Sequence, residues 1–274
     1  MIRINGTTVQ FDDDNENLAL MNKEEIDILQ TMASHQDIYE YDSFEQLLFE
    51  LKMRIETIVA AEELNRSGAR FATFETSFCN EEYWDLIETG AFVLKDDTSP
   101  AEAVLDIYSQ GDKYAFECAT AMVIVFYKAA VESVGKESFD HLFADLVLYD
   151  WHYDKDIGLM TTRGNEFIPG DCIYFKNPDF DPETPYWRGE NAIVINEDLY
   201  YGHGIGIKNA TEIIEHLNNH RKTNATESAY ILSQHTRPDY RTLSNYSLPQ
   251  TRSAQINLIT PVSQAFIGSN FYIF

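Results

Sequence analysis

The sequence predicts an α+β fold in which one central buried helix packs on an antiparallel sheet. Three observations carry the prediction. Residues 114–134 are apolar on nearly every side, as a helix enclosed by its neighbours must be. After Gly135 the hydrophobic period changes to two, the strand period. Two apolar runs, 191–195 and 199–203, then flank Asn196-Glu197-Asp198, a hairpin signature.

The elements follow in order. Residues 1–40 are acidic and weakly patterned, with a short helix over 21–32. Ser43 with Gln46 forms a capping-box pattern that opens a strong helix. Its apolar positions, Phe44, Leu47, Leu48, Leu51, Ile55, Ile58 and Val59, recur at three and four residues, and Gly68 suits its far end. Residues 70–95 are mixed, with a polar and aromatic loop over 79–84. Pro100 stands at the first helical position of the next helix, which ends before Gly111. The central helix runs from Tyr114 to Val134 and carries Cys118 in its first turn. Strands are expected at 146–149, at 172–175 after the Pro169-Gly170-Asp171 turn, in the hairpin, and at 228–232. A short amphipathic helix covers 210–221. The chain therefore divides into an N-terminal segment (1–40), a body (41–239) and a Ser/Asn/Thr-rich extension (240–274).

Composition excludes several function classes. The 274 residues hold 20 Lys and Arg against 45 Asp and Glu, a net charge of −25. Nucleic-acid binders neutralise phosphates with clustered basic residues, so neither nucleic acid nor an anionic membrane is an expected partner. The chain is 44% hydrophobic and 13% aromatic, enough for a sizeable core. The longest acidic stretch is only Asp12-Asp13-Asp14-Asn15-Glu16, so the acid excess belongs to the surface, where it attracts Lys-rich partners. Cys79, Cys118 and Cys172 are too few and too irregular for a disulfide framework, and no Cys/His cluster has zinc spacing. No run reaches the ~20 apolar residues of a membrane span, and no signal peptide is recognisable at Met1. The expectation is an intracellular, reduced protein with no metal and no cofactor.

Chemistry concentrates at Tyr114-Ala115-Phe116-Glu117-Cys118-Ala119-Thr120. A thiol at a helix N-terminus meets unpaired N–H groups and the positive end of the dipole, both of which favour thiolate. The bland alternative is a small core residue. The hairpin adds a second group: with a two-residue turn Glu190 pairs with His203, and a three-residue loop shifts the register by one. Either way a carboxylate and an imidazole become neighbours, the base-plus-orienter unit of a thiol enzyme. Cys in a helix followed by His in a strand is also the papain-like chain order. Gly189, Gly202, Gly204 and Gly206 surround the spot and read as a strand kept narrow for close backbone approach. Trp151 and Trp187, at loop positions, are either ordinary packing or the walls of an apolar slot that excludes water.

These residues resemble a known family, the small protein-glutamine gamma-glutamyltransferases (transglutaminases) of spore-forming bacilli. The matching strings are Ser67-Gly68-Ala69-Arg70-Phe71-Ala72-Thr73-Phe74, Tyr114-Ala115-Phe116-Glu117-Cys118-Ala119-Thr120-Ala121, Leu148-Tyr149-Asp150-Trp151-His152-Tyr153, Gly170-Asp171-Cys172-Ile173-Tyr174-Phe175-Lys176-Asn177-Pro178, Trp187-Arg188-Gly189-Glu190-Asn191, His203-Gly204-Ile205-Gly206 and Ala229-Tyr230-Ile231-Leu232-Ser233-Gln234. They span roughly 40–238. The resemblance implies an NlpC/P60 papain-like thiol-enzyme core over a catalytic domain at 41–239. It implies Cys118 as nucleophile, Glu190 or Glu117 as general base, His203 as an assisting group, and Trp151 and Trp187 along a substrate tunnel. It further implies calcium-independent ε-(γ-glutamyl)lysine cross-linking of spore-coat proteins, by an enzyme made in the mother-cell cytoplasm that becomes coat-associated. Two other readings compete: an NlpC/P60-like cysteine amidase or peptidase, and a non-catalytic acidic coat or scaffold protein. Within the extension, Gln250, Gln255 and Gln264 are candidate self-substrates.

Overall fold

The computed structural model describes residues 1–11, 18 and 21–247, together with the backbone of 264–267 and 270–273. Near the N-terminus β1 (Ile2–Ile4), β2 (Thr7–Val9) and β3 (Tyr39–Tyr41) make a small sheet in the order β2-β1-β3. Between β2 and β3 lies α1 (Lys23–Ser34), entered through a reciprocal capping box of Asn22 and Glu25. Ile2, Leu29, Met32 and Tyr41 share a core with Leu47 and Leu51 of α2 (Phe44–Arg66). The three strands were not anticipated, because three-residue strands show no period.

Ser43 caps α2, its side chain accepting the Gln46 N–H. The Gln46 amide oxygen accepts from the Asp42 N–H, one residue earlier than the box predicted from the sequence. Gly68 follows with φ +91°, a left-handed conformation that favours glycine beyond a helix end. Next come β4 (Arg70–Phe71), β5 (Trp84–Leu86), β6 (Phe92–Leu94), α3 (Pro100–Ser109), β7 (Ala115–Phe116) and α4 (Cys118–Val134). The central helix begins at Cys118, four residues later than its apolar run, because Ala115 and Phe116 are held in parallel pairing with β4. Gly135, at φ +86°, ends it as expected.

Downstream lie α5 (Lys136–Leu142), β8 (Val147–Leu148), β9 (Met160–Arg163), β10 (Cys172–Lys176), β11 (Gly189–Val194), β12 (Tyr200–Gly202), β13 (Gly206–Lys208), α6 (Ala210–Asn218), β14 (Tyr230–Arg237), α7 (Tyr240–Ser244), and the paired β15 (Gln264–Ile267) and β16 (Asn270–Ile273). Six strands form an antiparallel sheet in the order β13-β12-β11-β10-β14-β9. The strand expected at 228–232 is longer, and it sits beside β10 in the sheet interior. Of the 240–274 extension, α7 packs on α2, with Tyr240 and Leu243 in the main core. The acidic stretch at 12–16, and Gln250 and Gln255, lie outside the described residues, as does the Gln264 side chain.

Within α4 only Glu132 escapes burial. Its principal partner is α2, with α3, α5, β8, β11 and α7 closing the remaining sides. This packing departs from the expected NlpC/P60 papain-like core, a helix laid on one sheet. Here the thiol-bearing helix packs first on another helix, and its contact with β11 brings its N-terminus to the sheet, where Asn191 reaches Cys118.

A buried charge network ties α2 to the sheet. Arg54, fully enclosed, donates from Nε to Glu50 at 2.8 Å and from Nη1 to Asp171 at 2.9 Å. Arg237 donates to the other Asp171 oxygen at 2.6 Å. The two guanidinium groups hold Asp171 below the ordinary carboxylate range against the opposing effect of its burial. Replacing Arg54 by Met should cost about 3–5 kcal/mol, because buried Glu50 loses its ion-pair partner and buried Asp171 is left with Arg237 alone. For Asp171 the folded pKa is depressed. Its contribution is therefore present above the unfolded value of about 3.9 and is lost as pH falls through the lower folded value. Urea unfolding of wild type and Arg54→Met near neutral pH measures the first effect, and coincident midpoints would remove the network from the account.

Candidate active site

The site forms where β7 hands the chain to α4. Glu117 is the N-cap, with extended backbone, and its Oε2 accepts the Ala119 N–H at 2.7 Å. Cys118 is the first residue of the helix. Its thiol donates to Glu117 Oε1 at 3.1 Å, so a single carboxylate caps the helix and accepts from the sulfur. From β11, Asn191 Nδ2 donates to Cys118 Sγ at 3.6 Å. Cys118 is 4% exposed and opens onto a cleft of about 530 Å³. Trp151, Tyr153 and Asp150 wall the cleft on the helix side, and Tyr174, Arg188 and Asn191 on the sheet side. The volume is that of an ordinary small-ligand site.

The hairpin register decides which groups come together. Its loop has three residues: Ile195 N–H donates to Leu199 O, and Asn196 Oδ1 accepts from the Asp198 and Leu199 N–H groups. Ala192 therefore faces Gly202. Of the two registers the sequence allows, this is the shifted one. It carries Asn191, rather than Glu190, to the level of His203. Glu190 is 2% exposed and lies against Gly202, where an added Cβ would stand 2.7 Å from Glu190 Oε1. The Gly202–Gly206 segment is not the narrow strand expected from its glycines. It is the tight turn between β12 and β13, with Gly204 at φ +99° and Gly206 at φ +85°.

The electrostatics reverse one expectation. The helix N-terminus favours thiolate, but burial pushes the Cys118 thiol well above its ordinary range, and the charges of Glu190 and Glu117 push it the same way. Only the Asn191 hydrogen bond pulls it down. Burial first, and the acidic neighbours after it, outweigh half a unit of helix charge. Glu190 is also raised, by burial first and by the Glu117 charge second, with the His203 backbone N–H opposing. Its Oε1 has no hydrogen-bond partner among the described residues. The Cys118 thiol and Glu190 are thus both pushed toward their neutral forms beside Glu117, which accepts from the sulfur.

His203 does not pair with the thiol. Its Nδ1 shares a 3.0 Å hydrogen bond with the Tyr201 hydroxyl, and its ring stacks on Phe116 at 4.7 Å. Burial lowers its pKa to about 4, so it stays uncharged at neutral pH, and a thiolate–imidazolium pair is not set up. Trp151 lines the cleft. Trp187 is outside its lining, packed against Phe71, His216 and His220. The structure therefore brings together Cys118, Glu117 and Trp151, and adds Asn191, which sequence reasoning missed; Glu190 is buried outside the cleft lining, near enough to act electrostatically on the thiol. A signal existed: an Asn beside Glu190 in a strand that runs on as Ala192-Ile193-Val194 needs a polar partner once buried. Among the described residues no group of three or more His, Cys, Asp or Glu side chains is arranged to hold a metal ion, and no helix is long and apolar enough to cross a membrane.

Comparison with known proteins agrees with this chemistry. The family model described as protein-glutamine gamma-glutamyltransferase matches residues 1–247. A Bacillus licheniformis protein of that name is 48% identical over 213 residues, covering 78% of this chain and 86% of the relative. The Bacillus subtilis one is 47% identical over 205 residues, covering 75% and 83%. Among solved structures, a transglutaminase from Geobacillus stearothermophilus, described as without its C-terminal extension, superposes with a TM-score of 0.73 at 50% identity. That match covers 75% of this chain and 99% of the other. The likeness corrects the expected fold: the architecture is the transglutaminase fold, not that of the NlpC/P60 papain-like peptidases.

Proposed function

Because this chain belongs to the protein-glutamine gamma-glutamyltransferase family, and so is an enzyme that joins proteins through isopeptide bonds by way of a cysteine nucleophile, we propose that Cys118 is that nucleophile and that Glu117 and Glu190 move its protons. The observation that carries the reading is the 3.1 Å hydrogen bond from the Cys118 thiol to Glu117 at the floor of the cleft.

The two carboxyl groups divide the work. As the sulfur attacks the γ-carboxamide carbon of a substrate glutamine, its proton passes to Glu117 Oε1, so no free thiolate need form beforehand. Asn191 Nδ2 and the Cys118 backbone N–H, which has no partner within the helix, are donors for the developing oxyanion. The carbon–nitrogen bond breaks, the amide nitrogen takes the proton held by Glu190, and ammonia leaves a thioester. An uncharged lysine amine then attacks the thioester, giving its surplus proton to the Glu190 carboxylate. The sulfur departs and recovers its proton from Glu117. Both carboxyl groups end as they began. The order suits their surroundings: Glu190, pushed toward its protonated form by burial, gives first, and Glu117, which already accepts the thiol hydrogen bond, accepts first.

His203 is a positioning residue in this scheme, stacked on the Phe116 that precedes Glu117. Trp151 covers the cleft and excludes water that would otherwise hydrolyse the thioester. The substrates we propose are spore-coat proteins, and the place of action is the mother cell and then the coat. The support is the resemblance to enzymes of spore-forming bacilli. The test of the site is incorporation of a labelled amine into a glutamine-bearing protein, with and without the Cys118 sulfur.

A further inference from the structure

We propose that Asp150 is the group that selects cationic acyl acceptors, docking the ε-ammonium of the incoming lysine beside the thioester. The proposal rests on the reading of Cys118 as nucleophile and adds to it the polarity of the cleft.

Asp150 is held where the function requires. Its N–H donates to Thr120 Oγ1 at 2.8 Å, which fixes it over the first turn of α4, two residues beyond Cys118. It is the second residue of a tight turn closed by the His152 N–H on Tyr149 O at 2.8 Å. Its φ is +47°, left-handed, a conformation that Asp tolerates better than most residues. The preceding Tyr149 is anchored by its ring against Phe74, 4.6 Å between centroids, and the following Trp151 lines the cleft. The turn thus sets an exposed carboxylate on the cleft wall, and no ion pair or hydrogen bond from a described residue engages that carboxylate.

The cleft also carries the opposite sign. Arg188 lines the cleft next to Gly189 and Asn191, exposed and likewise without a carboxylate partner among the described residues. A cation approaching Sγ is attracted along the Asp150 side and repelled from the Arg188 side. The second half-reaction needs an amine that arrives charged in water, gives one proton to water beside the thioester to become the uncharged nucleophile, and passes its second to Glu190 on attack. An open carboxylate lining the same cleft as Sγ gathers such an amine, and Trp151 beside it accommodates the lysine methylenes.

Asp150→Asn removes the charge while keeping size and tolerance of the left-handed backbone, so folding should persist. The experiment compares two acceptors on the intact chain at low ionic strength: cadaverine, a cation, and hydroxylamine, uncharged above neutral pH. The expected result is a rise of about three- to fivefold in the cadaverine KM, the size of one exposed charge contact. The hydroxylamine rate and the KM of the glutamine donor should hold, Asp150→Glu should restore the cadaverine KM, and the difference should shrink in high salt. An unchanged cadaverine KM, or equal losses with both acceptors, would overturn the assignment. A Cys118→Ala chain run alongside separates the two readings: hydroxamate formed by that variant would count against the nucleophile, not against Asp150.

Discussion

The Cys118→Ala chain is expected to form isopeptide bonds at least about a thousandfold more slowly than wild type, with its fold intact. Two features of the site make the loss deep and the structural cost small. The sulfur is the atom that carries the acyl group between the half-reactions, and no other described nucleophile on the cleft wall has the Glu117 acceptor beside it. Cys172 also lines the cleft, but its thiol points into a buried backbone contact with Ile173 O, and burial raises it far above its ordinary range. Alanine, for its part, is a good helix former at the first position of α4, and Glu117 keeps its bond to the Ala119 N–H. Labelled-amine incorporation and a thermal melt are read on the same preparation. A native melt with undiminished incorporation would remove Cys118 from the chemistry.

Glu190→Gln should be nearly as damaging to turnover, about a hundredfold or more, and almost harmless to stability. Burial pushes Glu190 toward its neutral form, and glutamine is a neutral group of the same shape. The folded state therefore loses little, whereas the proton promised to the leaving ammonia is gone. Placement should matter as much as identity. At Gly202 a methyl group would meet Glu190 Oε1 at 2.7 Å and Cγ at 2.9 Å, so Gly202→Ala must displace the carboxyl and should lower kcat/KM about tenfold or more. A Glu190→Gln enzyme with native kcat, or one that fails to fold, would refute the assignment of a neutral proton donor.

Much of this site was legible in the residues, for physical reasons that can be named. A cysteine at the head of an all-apolar helix, a Gly-bounded hairpin and a Glu beside it are local patterns, and the chain realises each of them. What was not legible depends on sums over distant elements. The helix N-terminus, which favours a thiolate, is visible in sequence, but the burial and the second acid that outweigh it come only with the packing of α4 on α2 and β11. One residue of loop length, three instead of two, moved Asn191 to the level of His203. The Arg54–Asp171 bond crosses 117 residues and has no local trace beyond the Glu50/Arg54 spacing. Trp187, chosen with Trp151 for its loop position, turned instead onto two histidines of the α6 region.

The central claim is that Cys118 rests as a neutral thiol between two carboxyl groups and loses its proton only as it attacks. The direct measurement is the pH dependence of iodoacetamide alkylation at Cys118, followed by peptide mass mapping so that Cys79 and Cys172 do not contribute. The account predicts slow alkylation at neutral pH and a rate still climbing above about 8.5, the ordinary thiol value. A rate that reaches its plateau below neutrality, as a preformed thiolate would give, would contradict it.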